Sequence, residues 1–267
     1  MFVEYMTLMN KKEAQSLFDA SAKMKPSDKE KLYIAKENSD LVIVSCHWGY
    51  EDTNEIIPKQ QEIATKLNEF GVDAVRYYSL AEMPFAQDGS ITYEAFISRY
   101  NSELANTLGN LVNRTIAMIN KYFGGKVEKP AQDYTPYDSE LVNVLNETVK
   151  GYTYNFDNFR FQNGLNAVWT LISRCNKYID ETAPWVLAKS EDPEDKKRLA
   201  GVMYTLLEGL RIVSVQLEPF MPSTSVKILD QINTELRDFD SVNNFGGYVS
   251  GTKVNDAVVL FKRIDKE

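Results

Sequence analysis

Histidine, cysteine and long apolar runs are all scarce in this 267-residue sequence. His47 is the only histidine, so a mechanism that needs two imidazoles from one chain is excluded. The two cysteines, Cys46 and Cys175, form no CxxC pair, and no zinc knuckle is encoded. No apolar run approaches the roughly 20 residues of a transmembrane helix. The first ten residues lack the basic start and apolar core of a signal peptide, and we therefore expect a cytoplasmic protein.

The charge balance is acidic overall but basic in one segment. The chain carries a formal net charge of −8, which argues against nucleic-acid binding over the whole surface. Its 43% hydrophobic and 25% charged residues are ordinary for a globular protein. Residues 110–126 contain Arg114, Lys121 and Lys126 and no acidic residue. A local basic stripe is therefore compatible with the acidic total.

The first part of the chain, residues 1–69, is mixed in character. The β-branched run at Leu41–Ser45 predicts a buried strand, and Glu13–Ala22 and Gln60–Phe70 have helical patterns. One strand has nothing to pair with, so we expect a small, incomplete α/β fragment here.

The second part, to about Asn233, is predicted to be helical. Tyr93–Phe123 is one long periodic stretch, or two helices broken near Gly109, and Gly124–Gly125 ends it. Its apolar positions, all three or four residues apart, are Ile97, Tyr100, Leu104, Leu108, Leu111, Thr115, Met118 and Tyr122. Lys126–Pro136 is interpreted as a polar loop.

Three more helices follow in the pattern. Phe161–Ile179 has apolar residues at spacings of three and four, and stops before Pro184. Asp192 is the predicted N-cap of a helix with Pro193 in its first turn, which runs to about Leu217. A short helix is expected at Ser223–Ile232. Several one-sided helices in a row predict a mainly α fold, a helix bundle, over which the Gly-rich tail from Phe245 lies as an arm.

Several separated motifs resemble methionyl-tRNA synthetases. They are FGVDAVRYY at residues 70–78, EMPFAQDG at 82–89, LGNLVNR at 108–114, YIDETAPW at 178–185, EPFMP at 218–222 and FKRID at 261–265. Their order resembles the segment just after the catalytic core, a stem-contact region, followed by the anticodon-binding bundle of that family, over roughly residues 68–265. The resemblance implies a connector at 70–92, a bundle at 93–234 and an arm at 235–267.

The resemblance also implies a tRNA-binding site. Asn110 and Arg114 are four residues apart and share a helix face, and Asn113 extends it. Their side chains suit the edges of exposed bases, whereas a merely solvated helix face is the plain alternative. By family, Pro184 and Trp185 form the turn that stacks on the anticodon. Lys121 and Lys126 would contact the tRNA backbone.

The partner implied by the family is a methionine-accepting tRNA with a CAU anticodon, and no DNA or membrane partner is expected. ATP and Mg²⁺ serve the complete family enzyme, but this chain has CHWG at residues 46–49 instead of the HIGH motif. KMKPS at residues 23–27 is only superficially similar to the KMSKS loop. No catalytic or cofactor residues are therefore predicted in this chain, and no metal ligands.

Residues 40–51, DLVIVSCHWGYE, resemble a different family, the capsule-synthesis proteins of poly-γ-glutamate type with a metallophosphoesterase-like fold. His47 and Glu51 would be its metal ligands, but too few partners exist for a two-metal site, so an unliganded histidine is the plainer interpretation. We therefore interpret the chain as a chimera whose junction lies near Asn68–Val75. Two other functions stay open: a capsule-biosynthesis protein with a helical extension, and a helical scaffold without an RNA role.

The remaining tryptophan and cysteine of the helical part are given structural roles. Trp169 lies beside Val168 and Ile172 in a helix interior, which favours a place in the core. Cys46 and Cys175 are interpreted as small buried apolar residues.

Overall fold

The fold is described by a computed structural model covering residues 2–6, 43–47, 70–82, 92–131, 136–243 and 245–265, with only the backbone of the first two segments. The chain divides into two compact units. The first comprises Met1–Ala64 and Ala86–Ser90, and the second comprises Thr65–Phe85 and Ile91–Glu267.

The first unit contains a two-stranded antiparallel sheet in its described part. Strand β1, Phe2–Met6, pairs with strand β2, Ile43–His47, so that Phe2 lies opposite His47 and Met6 opposite Ile43. The predicted strand therefore exists two residues later than expected, and the expectation that it has no partner was wrong. The amino-terminal segment FVEYM carries no turn signal that would have marked it as a strand. The helix predicted at Glu13–Ala22 and nearly all of the one at Gln60–Phe70 lie outside the described residues.

The described part of the second unit is helical, which confirms the predicted mainly α fold. In chain order its α-helices are α1 (Val72–Glu82), α2 (Tyr93–Arg99), α3 (Asn110–Phe123), α4 (Pro136–Asp157), α5 (Phe161–Thr182), α6 (Pro184–Leu187), α7 (Pro193–Leu217) and α8 (Pro222–Gln231). A π-helical segment, Tyr100–Gly109, joins α2 to α3, and a short 3₁₀ helix follows at Phe239–Asn243.

Helices α2 and α3 and the π segment form one unbroken rod. The sequence left a break near Gly109 open, but this residue instead marks the place where the wider π turns give way to α3. A Cβ atom at Gly109 would lie only 3.1 Å from the carbonyl oxygen of Leu104, so glycine lets the backbone pass this carbonyl closely. At the far end Gly124 adopts a left-handed conformation with φ 60°, as predicted for the end of this helix.

Helix α7 is the central helix of the bundle, because every residue from Gly201 to Leu217 is buried. Its start confirms the predicted cap: the Asp192 carboxylate accepts a hydrogen bond of 2.9 Å from the backbone N–H of Glu194, and Pro193 fills the first turn. A helix that is buried all round must pair its charged groups internally. Glu208 and Arg211 do so through two hydrogen bonds of 2.8 Å.

Helix α4 was missed in the sequence. Its buried apolar residues follow the three-and-four spacing of a helix, and they are Leu141, Leu145, Val149 and Tyr152. Between them lie asparagine and threonine residues of low helix propensity, and Gly151 interrupts the pattern. Packing against α5 outweighs these weak local preferences.

The carboxy-terminal arm is fastened to α7 by the buried carboxylate of Glu208. This carboxylate accepts hydrogen bonds from three successive backbone N–H groups, those of Gly246, Gly247 and Tyr248, at 2.8, 2.9 and 3.0 Å. Further along, the Asn101 side chain and the backbone of Ile264 exchange two hydrogen bonds. The arm is thus tied to the bundle at both of its ends.

Candidate nucleic-acid interface

Helix α3 presents one polar face away from the core. Leu111, Val112, Ile116 and Ile119 are fully buried on the inner side. Asn110, Asn113 and Lys121 are exposed on the outer side, and Arg114 is partly exposed beside them. The predicted grouping of Asn110, Asn113 and Arg114 on one face therefore follows from a single amphipathic helix.

An ion pair connects this face to the end of α5. An Nη atom of Arg114 lies 3.2 Å from a carboxylate oxygen of Asp180, with 39% and 67% of the two side chains exposed. One turn earlier on α5, the side-chain amide of Asn176 donates to the carbonyl oxygen of Thr107, at 3.1 Å. The polar face of α3 and the carboxy-terminal turns of α5 consequently form one surface.

The end of α5 is a rigid corner that turns an indole outward. Ala183 has a left-handed backbone with φ 43°, and Pro184 then begins the short helix α6 with its ring buried. Trp185 is 41% exposed, which is high for so large an apolar side chain. It lies five residues beyond Asp180, the ion-pair partner of Arg114.

The carboxylates at this corner are paired with cations. Glu181 accepts a hydrogen bond of 2.8 Å from the buried guanidinium of Arg174 and lies 3.3 Å from the ammonium of Lys177. Asp180 is paired with Arg114. This pairing reduces the repulsion that an approaching polyanion would meet at the acidic sequence DE, residues 180–181.

Lys121 lies near the carboxy-terminal end of α3, and Lys126 follows the end of this helix. Both are exposed, and the ammonium of Lys121 lies 5.5 Å from the ring centroid of its neighbour Tyr122. Lys126 follows the glycine pair that ends α3, and its backbone forms an antiparallel bridge with Lys253 of the arm.

Trp169 was predicted to lie in the core, but it is only partly buried. Its ring stacks on Tyr77 of α1 with centroids 4.4 Å apart and planes 24° apart, so this indole joins two helices. Burial, and after it the nearby Glu103 carboxylate, raise the pKa of Tyr77. Cys175 is fully buried, which confirms its predicted role, and burial raises the pKa of its thiol to about 12.

Sequence reasoning missed Asp180 and Asn176 as parts of the surface. Asp180 stands inside the quoted YIDETAPW motif, but nothing in its spacing indicates a partner 66 residues earlier.

The side chains of His47, Glu51 and Cys46 lie outside the described residues. In the part that the structure describes, no group of three or more His, Cys, Asp or Glu residues could hold a metal, and no helix is long and apolar enough to span a membrane.

Two family models match the sequence, and neither includes residues 117–128 at the end of α3. Residues 40–116 match the class I tRNA synthetases of the methionine type, which defines the class of protein. Residues 129–267, just over half of the chain, match the anticodon-binding domain of methionyl tRNA ligase. The chain therefore belongs to the methionyl-tRNA ligase family. Asn110 and Arg114 lie in the first matched region, and Trp185 lies in the second.

Relatives and solved structures agree with this assignment. The methionine–tRNA ligase of Clostridium perfringens is 50% identical over 201 residues, which are 75% of this chain and 31% of that protein. The enzyme of Bacillus subtilis is 47% identical over 206 residues, 76% of this chain and 31% of that protein. The apo crystal structure of Mycobacterium tuberculosis methionyl-tRNA synthetase matches with a TM-score of 0.71 and 34% identity, covering 76% of this chain and 41% of the other. The chain thus spans about a third of the length of the curated relatives that it matches.

The capsule-protein resemblance is not supported by these findings. The class I model begins at residue 40 and so includes the segment that suggested this resemblance. A hydrolase-like function is therefore not supported either.

Proposed function

We propose that this chain recognises the anticodon of a methionine-accepting tRNA. The observation that carries the proposal is the Arg114–Asp180 ion pair, which joins the polar face of α3 to the corner that holds Trp185 outward. In this proposal residues 93–234 form the binding bundle, residues 235–267 the arm, 70–92 a connector, and 1–69 a separate fragment. The protein works in the cytoplasm, where tRNA is charged.

Trp185 supplies affinity. An exposed indole on a stiff corner offers a flat apolar face, and every base can stack on such a face. Pro184 contributes by holding this corner, since its buried ring fixes the start of α6.

Asn110, Asn113 and Arg114 discriminate between anticodons. Asparagine offers both a donor and an acceptor, and arginine offers a fork of donors, which suits unstacked base edges. The Arg114–Asp180 pair is largely exposed, and such pairs contribute only about 0–1 kcal/mol. Arg114 can therefore turn toward a base at little cost. We assign the preference for CAU to these three side chains.

Lys121 and Lys126 bind phosphates. Both ammonium groups are exposed at the end of a segment that contains three cations and no carboxylate. A phosphate contact adds affinity without sequence preference, and it makes binding sensitive to salt.

We further propose that this chain does not activate methionine. Adenylate formation requires ATP and methionine to be held together, with Mg²⁺ in the complete family enzyme, and the sequence carries CHWG in place of HIGH. We expect purified chain to show no methionine-dependent exchange of pyrophosphate into ATP. Exchange above that of a mock purification would contradict this part of the proposal.

The test of the proposal is binding of the full chain to methionine-accepting tRNA with its CAU anticodon and with two altered anticodons. We expect tighter binding to CAU, and we expect Arg114→Ala to weaken binding and to narrow this preference, because an edge contact discriminates between bases. Lys121→Ala should weaken all three tRNAs alike and flatten the salt dependence.

Lys150→Ala is the matched control, since this exposed lysine lies on α4 and is paired with Glu147. Equal affinity for the three tRNAs in the parent chain would contradict anticodon recognition. Unchanged binding in both Arg114→Ala and Lys121→Ala would show that α3 is not the interface.

A further inference from the structure

Two lysines face each other where the arm crosses the end of α3. Lys126 and Lys253 are partners in an antiparallel β-bridge, and both side chains are exposed. Neither forms an ion pair with any described residue. Like charges directly opposite each other across paired strands are destabilising. The fold therefore keeps two cations together without a neutralising carboxylate.

The backbone around the two lysines is held firmly. The N–H of Val254 donates to the carbonyl of Gly125 at 2.9 Å, and the N–H of Gly251 donates to that of Val127, also at 2.9 Å. Asn120 of α3 donates from its side chain to the carbonyl of Asn255, at 3.2 Å. The position of Lys253 is consequently fixed relative to α3.

Gly125 lets the Lys253 side chain lie close to the helix end. A Cβ atom at Gly125 would be 3.3 Å from Cγ and 3.5 Å from Cε of Lys253, so the aliphatic stem packs over this glycine. The stem is thus directed along the same end of α3 that carries Lys121 and Lys126. Residues 120–127 and 251–255 together hold these three cations, and the acidic residues Glu128 and Asp256 follow directly after the two segments.

The carboxylate of Glu128 is hydrogen-bonded to the arm. Glu128 follows Lys126 by two residues and accepts a hydrogen bond from the hydroxyl of Ser250. It forms no ion pair with Lys126 or Lys253. Its carboxylate, hydrogen-bonded to Ser250, lies against Gly251, two residues before Lys253.

We propose that Lys253 of the carboxy-terminal arm, together with Lys126, forms a phosphate-binding site for RNA, so that the arm is part of the interface. This inference rests on the proposed function and extends it from α3 to a second, sequence-distant segment. Lys126 lies 16 residues after Asn110, and the helical part of this separation spans roughly 20 Å along α3. The site therefore holds a phosphate away from the bases that Asn110 and Arg114 read.

A purely structural role for Lys253 makes a different prediction. A cation near the carboxyl end of a helix stabilises it through the helix dipole. In that case removing the charge would lower the melting temperature and leave RNA binding unchanged.

The experiment measures tRNA affinity at several salt concentrations for the full chain, Lys253→Gln, Lys253→Arg and the double variant Lys126→Gln/Lys253→Gln, with a melting curve for each. We expect Lys253→Gln to weaken tRNA binding and to reduce the slope of log affinity against log salt by about 0.7–0.9, the value of one phosphate contact. In the double variant the slope should fall by about twice this amount. Lys253→Arg should keep the slope of the parent chain. Lys150→Gln is the control and should behave as the parent.

The outcomes separate this site from the proposed function. Parental affinity and slope in Lys253→Gln, with binding lost in Trp185→Ala, would overturn the arm site and leave anticodon recognition standing. A lower melting temperature in Lys253→Gln with an unchanged slope would also overturn it, in favour of the dipole role. Parental binding in Lys253→Gln and Trp185→Ala alike would contradict both proposals.

Discussion

The two tryptophans around α5 are used in opposite ways. Trp169, in the first half of the helix, stacks on Tyr77 of α1. Trp185, just beyond the end of the helix, is 41% exposed. The first has a neighbouring helix to cover it, whereas the second follows a proline-headed corner at which the chain turns away. The surroundings of the residue, and not its type, decide whether the indole packs against a helix or faces outward.

Two ion pairs of the bundle also differ in how far they are buried. Glu208 and Arg211 are fully buried in α7 and hold the arm, while Arg114 and Asp180 lie at the surface. A buried ion pair needs both of its partners, because removal of one leaves the other as an uncompensated buried charge. An exposed pair can be exchanged for water or for a ligand.

The largest expected effect concerns the buried pair. Glu208→Ala should lower the free energy of unfolding by about 3–5 kcal/mol. The substitution leaves Arg211 without its carboxylate partner, and it leaves three backbone N–H groups of the arm without their acceptor. Asp180→Ala should cost about 1 kcal/mol or less. Urea unfolding of both variants measures the difference. Similar losses in the two would contradict the distinction between these ion pairs.

The next effect concerns Trp169. Trp169→Ala should lower the free energy of unfolding by roughly 3 kcal/mol, since it removes a large ring stacked between α1 and α5. Trp185→Ala should leave the melting temperature close to that of the parent. Thermal unfolding followed by circular dichroism checks both. A Trp185→Ala variant that melts as early as Trp169→Ala would show that the exposed indole also supports the fold.

A smaller effect is expected where α4 ends and α5 begins. Phe159 has φ 57°, and the N–H of Arg160 donates back to the carbonyl of Asn155, the arrangement in which glycine usually ends a helix. Phe159 is also 59% exposed, so its ring gains little from burial. Phe159→Gly should therefore raise the free energy of unfolding by about 0.5–1 kcal/mol. Gly124→Ala, at φ 60°, is the matched reverse change and should lower it; a loss of stability in both would contradict the strain at Phe159.

Much of the helical part could be predicted, because long amphipathic helices repeat their pattern over many residues. The cap at Asp192 and the end of α5 before Pro184 were correct. Of the stripe predicted in α3, Leu111 and Thr115 are buried but Met118 and Tyr122 are only partly buried, and the helix instead also buries Val112, Ile116 and Ile119. Helix α4 was missed because its few apolar residues alternate with weak helix formers. The π segment was also missed, since apolar residues at spacings of three and four do not distinguish π turns from α turns.

The candidate surface was only partly visible in the sequence. The spacing of Asn110 and Arg114 places them on one helix face, and the corner at Trp185 is marked by its proline. The contact that joins the two, between Arg114 and Asp180, and the pairing of Lys126 with Lys253 depend on tertiary packing. No local pattern encodes a contact between residues 66 or 127 positions apart.

The most direct test of anticodon recognition compares the two tryptophans in one binding measurement. The full chain, Trp185→Ala and Trp169→Ala are titrated with methionine-accepting tRNA at a temperature at which all three remain folded. Trp185→Ala should lose roughly 1–3 kcal/mol of binding free energy, the usual loss of one stacked base, while Trp169→Ala should bind as the parent does. Parental affinity in Trp185→Ala together with lost affinity in Trp169→Ala would contradict the account.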